Sequence, residues 1–380
     1  LLRRRLVGDL ETELTMRFQQ LASPVMAKGV EDTAFYSFNR LAALNEVGGD
    51  PSRFGVGVEE FHQACADTQE LWPRTMLATS THDTKRSEDV RARLDLLSEI
   101  PERWSHAVRR WAALNERHHR GEWPDRNAEY FFYQTLVGAW PIDPDRMIGY
   151  MKKASREAKA HTSWTSPNEA YDTALGTFIE AAMTDLSFTV DVEAFVAPLI
   201  TAGRVNSLAQ TLLKLTAPGI PDIYQGTELW DLSLVDPDNR RPVDYALRRR
   251  LLGALDRATP KEIMARSNEG LPKLWLIRQT LQIRRHRPEL FGEDGTYRPL
   301  SAIGARSGHV VAFVRGDGAI SVVPRLVMRL EENWMNTTLE LPPGRWRNEL
   351  TGDVVQGIVP VAELLAQFPV ALLSRAESNA

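Results

Sequence analysis

Apolar positions recur at helical spacing through residues 1–22, which predicts an amphipathic helix interrupted by Pro24. Pro24 to Phe38 is mixed and suits a strand, a loop and a short helix. Asn45 to Gly57 is rich in Gly, Asp, Pro and Asn and reads as a surface loop. Glu59 to Thr68 predicts a short helix, and Thr75 to Ser80 a buried strand. Ser87 then caps a helix, with Glu88 and Asp89 in its positive-end first turn and Val90, Leu94 and Leu97 on one face. Residues 101–200 read as mostly helical, with a capping box at Ser166–Glu169, Pro167 at the first helical position, and Leu175, Phe178 and Ala182 as the apolar stripe. Arg204 to Thr216 is a further helix, with Val205, Leu208, Leu212 and Leu215 inward. Pro218-Gly219 stops it before a short strand at Ile220 to Tyr224.

Leu271 to Arg287 predicts a basic amphipathic helix with Leu274, Ile277 and Leu281 inward, ended by Pro288. Beyond it the pattern changes. His309–Val314, Ala319–Val323, Thr338–Leu341 and Val370–Leu373 read as strands separated by Gly and Pro, and a small β-sandwich fits them best. The strands near 75–80 and 220–224 lie too far apart for an ordinary βα connection. If both belong to one barrel, the residues between them hold a large helical insertion.

Composition narrows the class. Apolar residues make up 43% and charged residues 25%, a globular balance, and the length of 380 residues suits two or three domains. The net charge of -4 argues against a surface built to neutralise nucleic-acid phosphates. The single cysteine, Cys65, excludes an intrachain disulfide framework and fits a reducing, cytoplasmic setting. No uninterrupted apolar run is long enough to predict a membrane span, and the start LLRRRLVGDL has no signal-peptide pattern. That start, in mid-helix periodicity without an initiator Met, fits a domain or a cleaved product.

The candidate chemistry lies at strand ends. An Asp at a strand tip of a β/α fold sits where barrel enzymes carry their active sites. Asp83 can stay ionised there and face positive charge developing on a sugar ring. His82 can donate to a sugar hydroxyl or orient Asp83, and Lys85 and Arg86 can bind hydroxyls or hold the carboxylate network. The plainer reading is a helix-entry loop with ordinary caps and ion pairs. Lys28, Glu31 and Asp32 form a second polar cluster, and Tyr36 can offer a ring and a hydroxyl to a sugar; composition alone favours a surface turn with one internal ion pair. Tyr224 and Gln225 follow the second strand, where Glu228 suits bracing. Asp236–Asp244 either lines an outer pocket or is a self-satisfied loop network. Trp104, Trp111, Trp140 and Trp164 suit a core or a glucan platform. No zinc-site spacing, phosphate-binding glycine pattern or HExxH occurs, so no metal or organic cofactor is expected.

Four segments carry a resemblance: MAKGVEDTAFY (Met26–Tyr36), LNEVGGDP (Leu44–Pro51), STHDTKRSEDVRAR (Ser80–Arg93) and GIPDIYQGTELWDLSLVDPDNRRPVDY (Gly219–Tyr245). With LPPGRWRNELTG and FPVALLSR near the end, the chain resembles the maltooligosyl trehalose synthase family of the α-amylase superfamily (glycoside hydrolase family 13). The resemblance implies an α/β fold: the later part of a (β/α)8 barrel with a large helical insertion, followed by an all-β sandwich domain. It divides the chain into a barrel segment with strand seven (1–93), the insertion (94–203), a barrel segment with strand eight (204–295) and the sandwich (296–380). It makes Asp83 the transition-state stabiliser and His82 a substrate contact. Lys28, Glu31, Asp32, Tyr36, Lys85, Arg86, Tyr224 and Gln225 become candidate substrate-binding residues. The implied reaction turns the reducing-end α-1,4 bond of a maltooligosaccharide into an α,α-1,1 bond. The family's nucleophile and acid/base lie on earlier strands that this sequence does not contain. The chain is therefore expected to be inactive alone, with an N-terminal fragment of the same enzyme as the partner that completes the barrel. Another α-amylase-superfamily hydrolase or glucanotransferase, or a noncatalytic glucan-binding fragment, are the competing readings; nucleic acid and membrane are not expected partners.

Overall fold

Helix-forming periodicity dominates the first part of the chain, and two-sided apolar strands dominate the last. The computed structural model describes residues 8–331 and 333–376, so the first seven positions of the expected N-terminal helix lie outside the described residues. The chain divides into two compact units. One comprises the residues up to Ser52 with Ser105–Glu193, and the other Arg53–Trp104 with everything from Ala194 on.

In the first unit the helix Asp9–Met26 contains Pro24 without interruption and continues as a π-helix, Ala27–Ala34, and a short helix, Phe35–Ser37. The strand expected between Pro24 and Phe38 is absent. The helix is exposed along most of its length, so water can serve the carbonyl that the proline ring leaves without a donor. Its apolar positions Leu10, Leu14, Phe18, Leu21 and Val25 form one helical stripe, each at least 50% exposed. The following turn is latched by buried Asn45, whose Nδ2 donates to the Phe35 and Phe38 carbonyls at 3.0 and 2.7 Å. Gln134 accepts from the Ala42 amide at 2.7 Å and donates to the Asn39 carbonyl at 2.8 Å.

The rest of this unit is helical, as expected. Asp125 and Asp143 cap the helices Arg126–Ala139 and Pro144–Ala158. The helix Glu169–Thr184 is capped by Asn168, which accepts from the Tyr171 amide at 3.1 Å; Ser166 and Pro167 precede it, so the cap expected at Ser166 moves two residues on. Trp111, Phe132, Tyr133, Phe178 and Phe188 are buried together, with Trp111 edge-on to Tyr133 at 5.6 Å and to Phe188 at 5.9 Å. Trp104 and Trp111 are thus core residues, whereas Trp164 is half exposed under the Arg156 guanidinium.

The helix Leu186–Thr216 is long and apolar enough, by length and composition alone, to cross a membrane. Here Phe188, Val192, Val196, Leu199, Leu208, Leu212 and Leu215 are buried in protein, whereas Leu186 and Val190 are exposed.

The second unit contains a parallel pair, β1 (Met76–Leu77) and β2 (Ile220–Pro221), in register Met76↔Ile220 and Leu77↔Pro221. Both are shorter than their apolar runs suggested, and Met76 is 73% exposed rather than buried. The remaining strands are β3 (Tyr297–Pro299), β4 (Ala302–Ile303), β5 (Val310–Arg315), β6 (Ala319–Pro324), β7 (Thr338–Glu340), β8 (Trp346–Asn348), β9 (Val354–Val355), β10 (Ile358–Pro360) and β11 (Ala371–Arg375). They form a six-stranded antiparallel sheet, β3-β5-β6-β11-β8-β9, and a three-stranded one, β10-β7-β4. Every residue of β5 and β6 is buried. Val310, Ala312, Val314, Ile320 and Val322 share a core with Leu339 and Val359, while Val311, Val323 and Leu372 share one with Leu274 and Leu276. Strands covered on both faces need apolar residues at successive positions, which is why these runs are continuous rather than alternating. In the helix Leu271–His286, Leu274 and Ile277 point inward, but Leu281 is 42% exposed.

Candidate active site

The parallel pairing carries the loops that follow β1 and β2 out on the same side. The Ile220 amide donates to Thr75 O and the Asp222 amide to Leu77 O, each at 2.8 Å. Beyond these bonds the backbone leaves the ladder, and His82, Asp222, Ile223, Tyr224, Gln225 and Arg240 line one open cavity of about 600 Å³. Three of the predicted residues, His82, Tyr224 and Gln225, are therefore brought together. Asp222 and Arg240 are additions; Asp222 sits between two apolar residues at the strand exit, a position that the pattern marked as strand.

His82 and Asp83 are both exposed. Their turn closes on itself: the Asp83 amide donates to Thr81 Oγ1 at 3.2 Å, and Thr84 Oγ1 donates to Thr81 O at 3.0 Å. Asn239 clips it from outside, with Nδ2 donating to His82 O at 3.0 Å. The Asp236–Asp244 stretch is largely a self-satisfied network, in which Asp238 accepts from the Leu234 amide at 2.8 Å and Arg240 pairs with Asp236 at 2.8 Å. Lys85 Nζ lies 3.8 Å from Asp83 Oδ1, with its own side chain only 1% exposed against 53% for Asp83. Lys85 thus sets a positive charge behind the Asp83 carboxylate rather than in solvent. Arg86 is fully buried, and its backbone bridges Leu234. Glu228 braces the neighbouring turn: Arg248 donates to it at 3.0 Å and to Gly226 O at 2.6 Å.

A second feature of this loop was read from sequence only as a helix start. Ser87 does cap the helix Glu88–Leu94, but Glu88 and Asp89 are buried. Lys273 lies 2.7 Å from Glu88 and 3.0 Å from Asp89, and Lys214 lies 3.2 Å from Glu88. Ser207 donates to Asp89, as does the Asp231 amide at 2.7 Å. Thr79 donates to Glu88, and Ser80 Oγ accepts from the Glu88 amide at 2.9 Å. Burial opposes ionisation of Glu88, yet Lys273 and Lys214 hold its carboxyl down at about 2. Burial pushes Asp89 up and Lys214 down, whereas the two carboxylates outweigh the burial of Lys273 and raise it. Two ammonium groups face the two carboxylates, and the Arg93 and Arg204 guanidiniums also act on Asp89. The cluster fixes both ends of the loop that carries Asp83. The available signal was a lysine embedded in each of two apolar helical runs, LLKLT and LPKLW.

The other predicted residues lie in the first unit. Lys28 Nζ pairs with Asp32 at 2.5 Å, Lys28 being 76% and Asp32 19% exposed. Glu31 accepts from the Gly48 amide at 3.2 Å, and thereby ties the π-helix to the LNEVGGD segment. Tyr36 is 4% exposed, with its ring edge-on to Phe131 at 6.3 Å, so the ring is packed rather than displayed. Among the described residues no group of three or more His, Cys, Asp or Glu could hold a metal ion.

No family model matches the chain. A Mycobacterium tuberculosis protein provisionally named maltooligosyl trehalose synthase is 43% identical over 371 residues, which cover 96% of this chain and 46% of that protein. The structure of maltooligosyltrehalose synthase from Arthrobacter ramosus superposes with a TM-score of 0.87 at 43% identity, covering 95% of this chain and 46% of that one. A maltooligosyl trehalose synthase crystal structure of 31% identity superposes with a TM-score of 0.82, covering 97% and 48%. The chain spans about half the length of these relatives. Over nearly its whole length it is a relative of the maltooligosyl trehalose synthases.

Proposed function

We propose that this chain is the part of a maltooligosyl trehalose synthase that supplies the transition-state-stabilising carboxylate, Asp83, and that it needs the rest of the enzyme for turnover. The observation that carries the reading is the parallel pair, which delivers His82, Asp222, Tyr224 and Gln225 to one open cavity; Asp83 follows His82 in the same turn and does not itself line it. In this reading β1 and β2 are barrel strands seven and eight, the helices of residues 94–203 are the insertion, and the two antiparallel sheets form the C-terminal sandwich. Exposed Met76 and Ile220, and the apolar stripe of the helix Asp9–Met26, support a missing partner surface. An N-terminal fragment of the same enzyme is the proposed partner, in the cytoplasm.

The proposed reaction is an intramolecular transglucosylation by a retaining route. A carboxylate on the partner part attacks the anomeric carbon while a carboxylic acid protonates the leaving oxygen. The Asp83 carboxylate faces the charge that develops on the ring, with Lys85 behind it. The released glucose turns in place and attacks through its anomeric hydroxyl, so water must be kept out. His82, Tyr224 and Gln225 bind hydroxyls near the reacting bond. Lys28, Glu31 and Asp32 enter as further glucan contacts.

The test is to assay maltopentaose conversion by anomeric proton NMR, with the purified chain alone and after co-expression with the missing part. Expected are no α,α-1,1 product from the chain alone, product from the pair, and its loss in Asp83→Asn. Product from the isolated chain, or full activity of the Asp83→Asn pair, would overturn the proposal.

A further inference from the structure

A cavity of about 780 Å³ lies elsewhere in the second unit, against Pro198, Thr201, Ala202 and Val205 of the helix Leu186–Thr216 and against Val327, Met328, Leu330, Glu331 and Trp334. Its size falls within the range of small-molecule sites. Most of its wall is apolar, including Met328, Leu330, Leu365 and Trp334. Thr201 and Glu331 are the polar side chains on the wall, and Trp334 adds an indole N–H. Among the described residues, none of these three groups has a side-chain hydrogen bond or ion pair.

One wall residue, Glu331, and two residues next to the wall, Leu326 and Met335, have an unusual backbone conformation. Leu326, Glu331 and Met335 have φ of 52°, 51° and 50°, three of the four non-glycine residues with positive φ among those described. Such conformations cost energy and concentrate where a site must be shaped. Glu99 fixes the segment from below by accepting from the Arg329 amide at 3.1 Å.

We infer that this cavity is a second binding site for an α-1,4-glucan, holding a stretch of chain away from the reacting end. The glucan identity rests on the function proposed above; the existence of a site rests on the cavity itself. A glucan presents C–H faces suited to Trp334, Met328 and Leu365, and hydroxyls at its edges suited to Glu331, Thr201 and the indole N–H. An anion would be repelled by the Glu331 carboxylate on the wall.

Isothermal titration of the purified chain with maltoheptaose tests this. The variants are Trp334→Ala, Trp334→Phe, Glu331→Gln and, as the strand-tip control, Tyr224→Ala. Trp334→Ala is expected to weaken binding about tenfold, the effect of losing one aromatic platform. Trp334→Phe should recover part of the affinity, and the exposed Glu331→Gln should weaken binding by about threefold with no change in unfolding temperature. Binding that survives Tyr224→Ala but falls in Trp334→Ala supports the second site, even if the co-expressed enzyme proves inactive. Binding unchanged in Trp334→Ala and Glu331→Gln, or no heat with maltoheptaose at all, overturns it. In the first case, loss in Tyr224→Ala would leave the strand-tip proposal standing.

Discussion

Two stretches of one loop, Thr81–Thr84 and Lys85–Asp89, adjoin in sequence and differ in nearly every physical respect. The first holds His82 and Asp83 in solvent, closed by its own turn and by Asn239. The second is buried, and its carboxylates meet two lysines, a serine, a threonine and a backbone amide. A group that must face a changing charge on a substrate needs room, and it needs a base that does not move. The contrast shows how a short segment provides both: Glu88 and Asp89 hold the frame, and Asp83 is left free to act.

The comparison can be broken most forcefully at Lys273. Its removal takes away the ammonium that both buried carboxylates share, so Lys273→Ala should cost about 3–5 kcal/mol in urea unfolding of the chain. A cost under about 1 kcal/mol would mean that the cluster is not the base of the loop. Asp83→Asn should do the reverse. Transfer by the co-expressed enzyme should fall about a hundred- to thousandfold, while the unfolding midpoint stays within about 0.5 kcal/mol of wild type, as expected for an exposed side chain.

Acid sharpens the same contrast. The Glu88 carboxyl lies below its ordinary value, so its contribution is fully present above about pH 4.5 and is lost as pH falls toward about 2. The stability gap between wild type and Glu88→Gln should therefore shrink as urea melts are run from pH 5 downward. A gap that stays constant would show that Glu88 does not carry charge in the folded state. The smallest effect is expected at the clip: Asn239→Ala removes the bond to His82 O and should destabilise by about 1 kcal/mol or less. Hydrogen exchange should nevertheless quicken at the amides of Thr81 and Asp83, whose turn it steadies.

Much of the fold was legible because local rules and burial agree. Ser87 caps, Val90, Leu94 and Leu97 face inward, and the apolar runs at 310–315 and 319–324 are strands. Other positions depended on surroundings that a linear pattern does not contain. Pro24 costs its helix a hydrogen bond, but the helix is exposed there and water can serve the freed carbonyl. Ser166 and Asn168 both can cap; the chain uses the second. Leu281 follows helical spacing yet has no neighbour to bury it. At the site, the strand tip was visible as a motif, and His82, Tyr224 and Gln225 share a cavity. Lys214 and Lys273 were not legible, since a lysine in an apolar helix is normally read as one whose stem is buried and whose charge reaches water. Their partners lie more than a hundred residues away in the chain.

The place of β11 has a consequence for shortened versions of the protein. This strand pairs with β6 on one side and β8 on the other, although it follows both in the sequence. A reading-frame stop or a proteolytic cut before Ala371 would therefore split the six-stranded sheet through its middle. The fully buried and largely apolar β6 would then display a bare edge, the kind of surface on which chains join one another. Loss of a few residues there would turn a protein with covered strands into a seed for insoluble material, even with every residue around Asp83 intact.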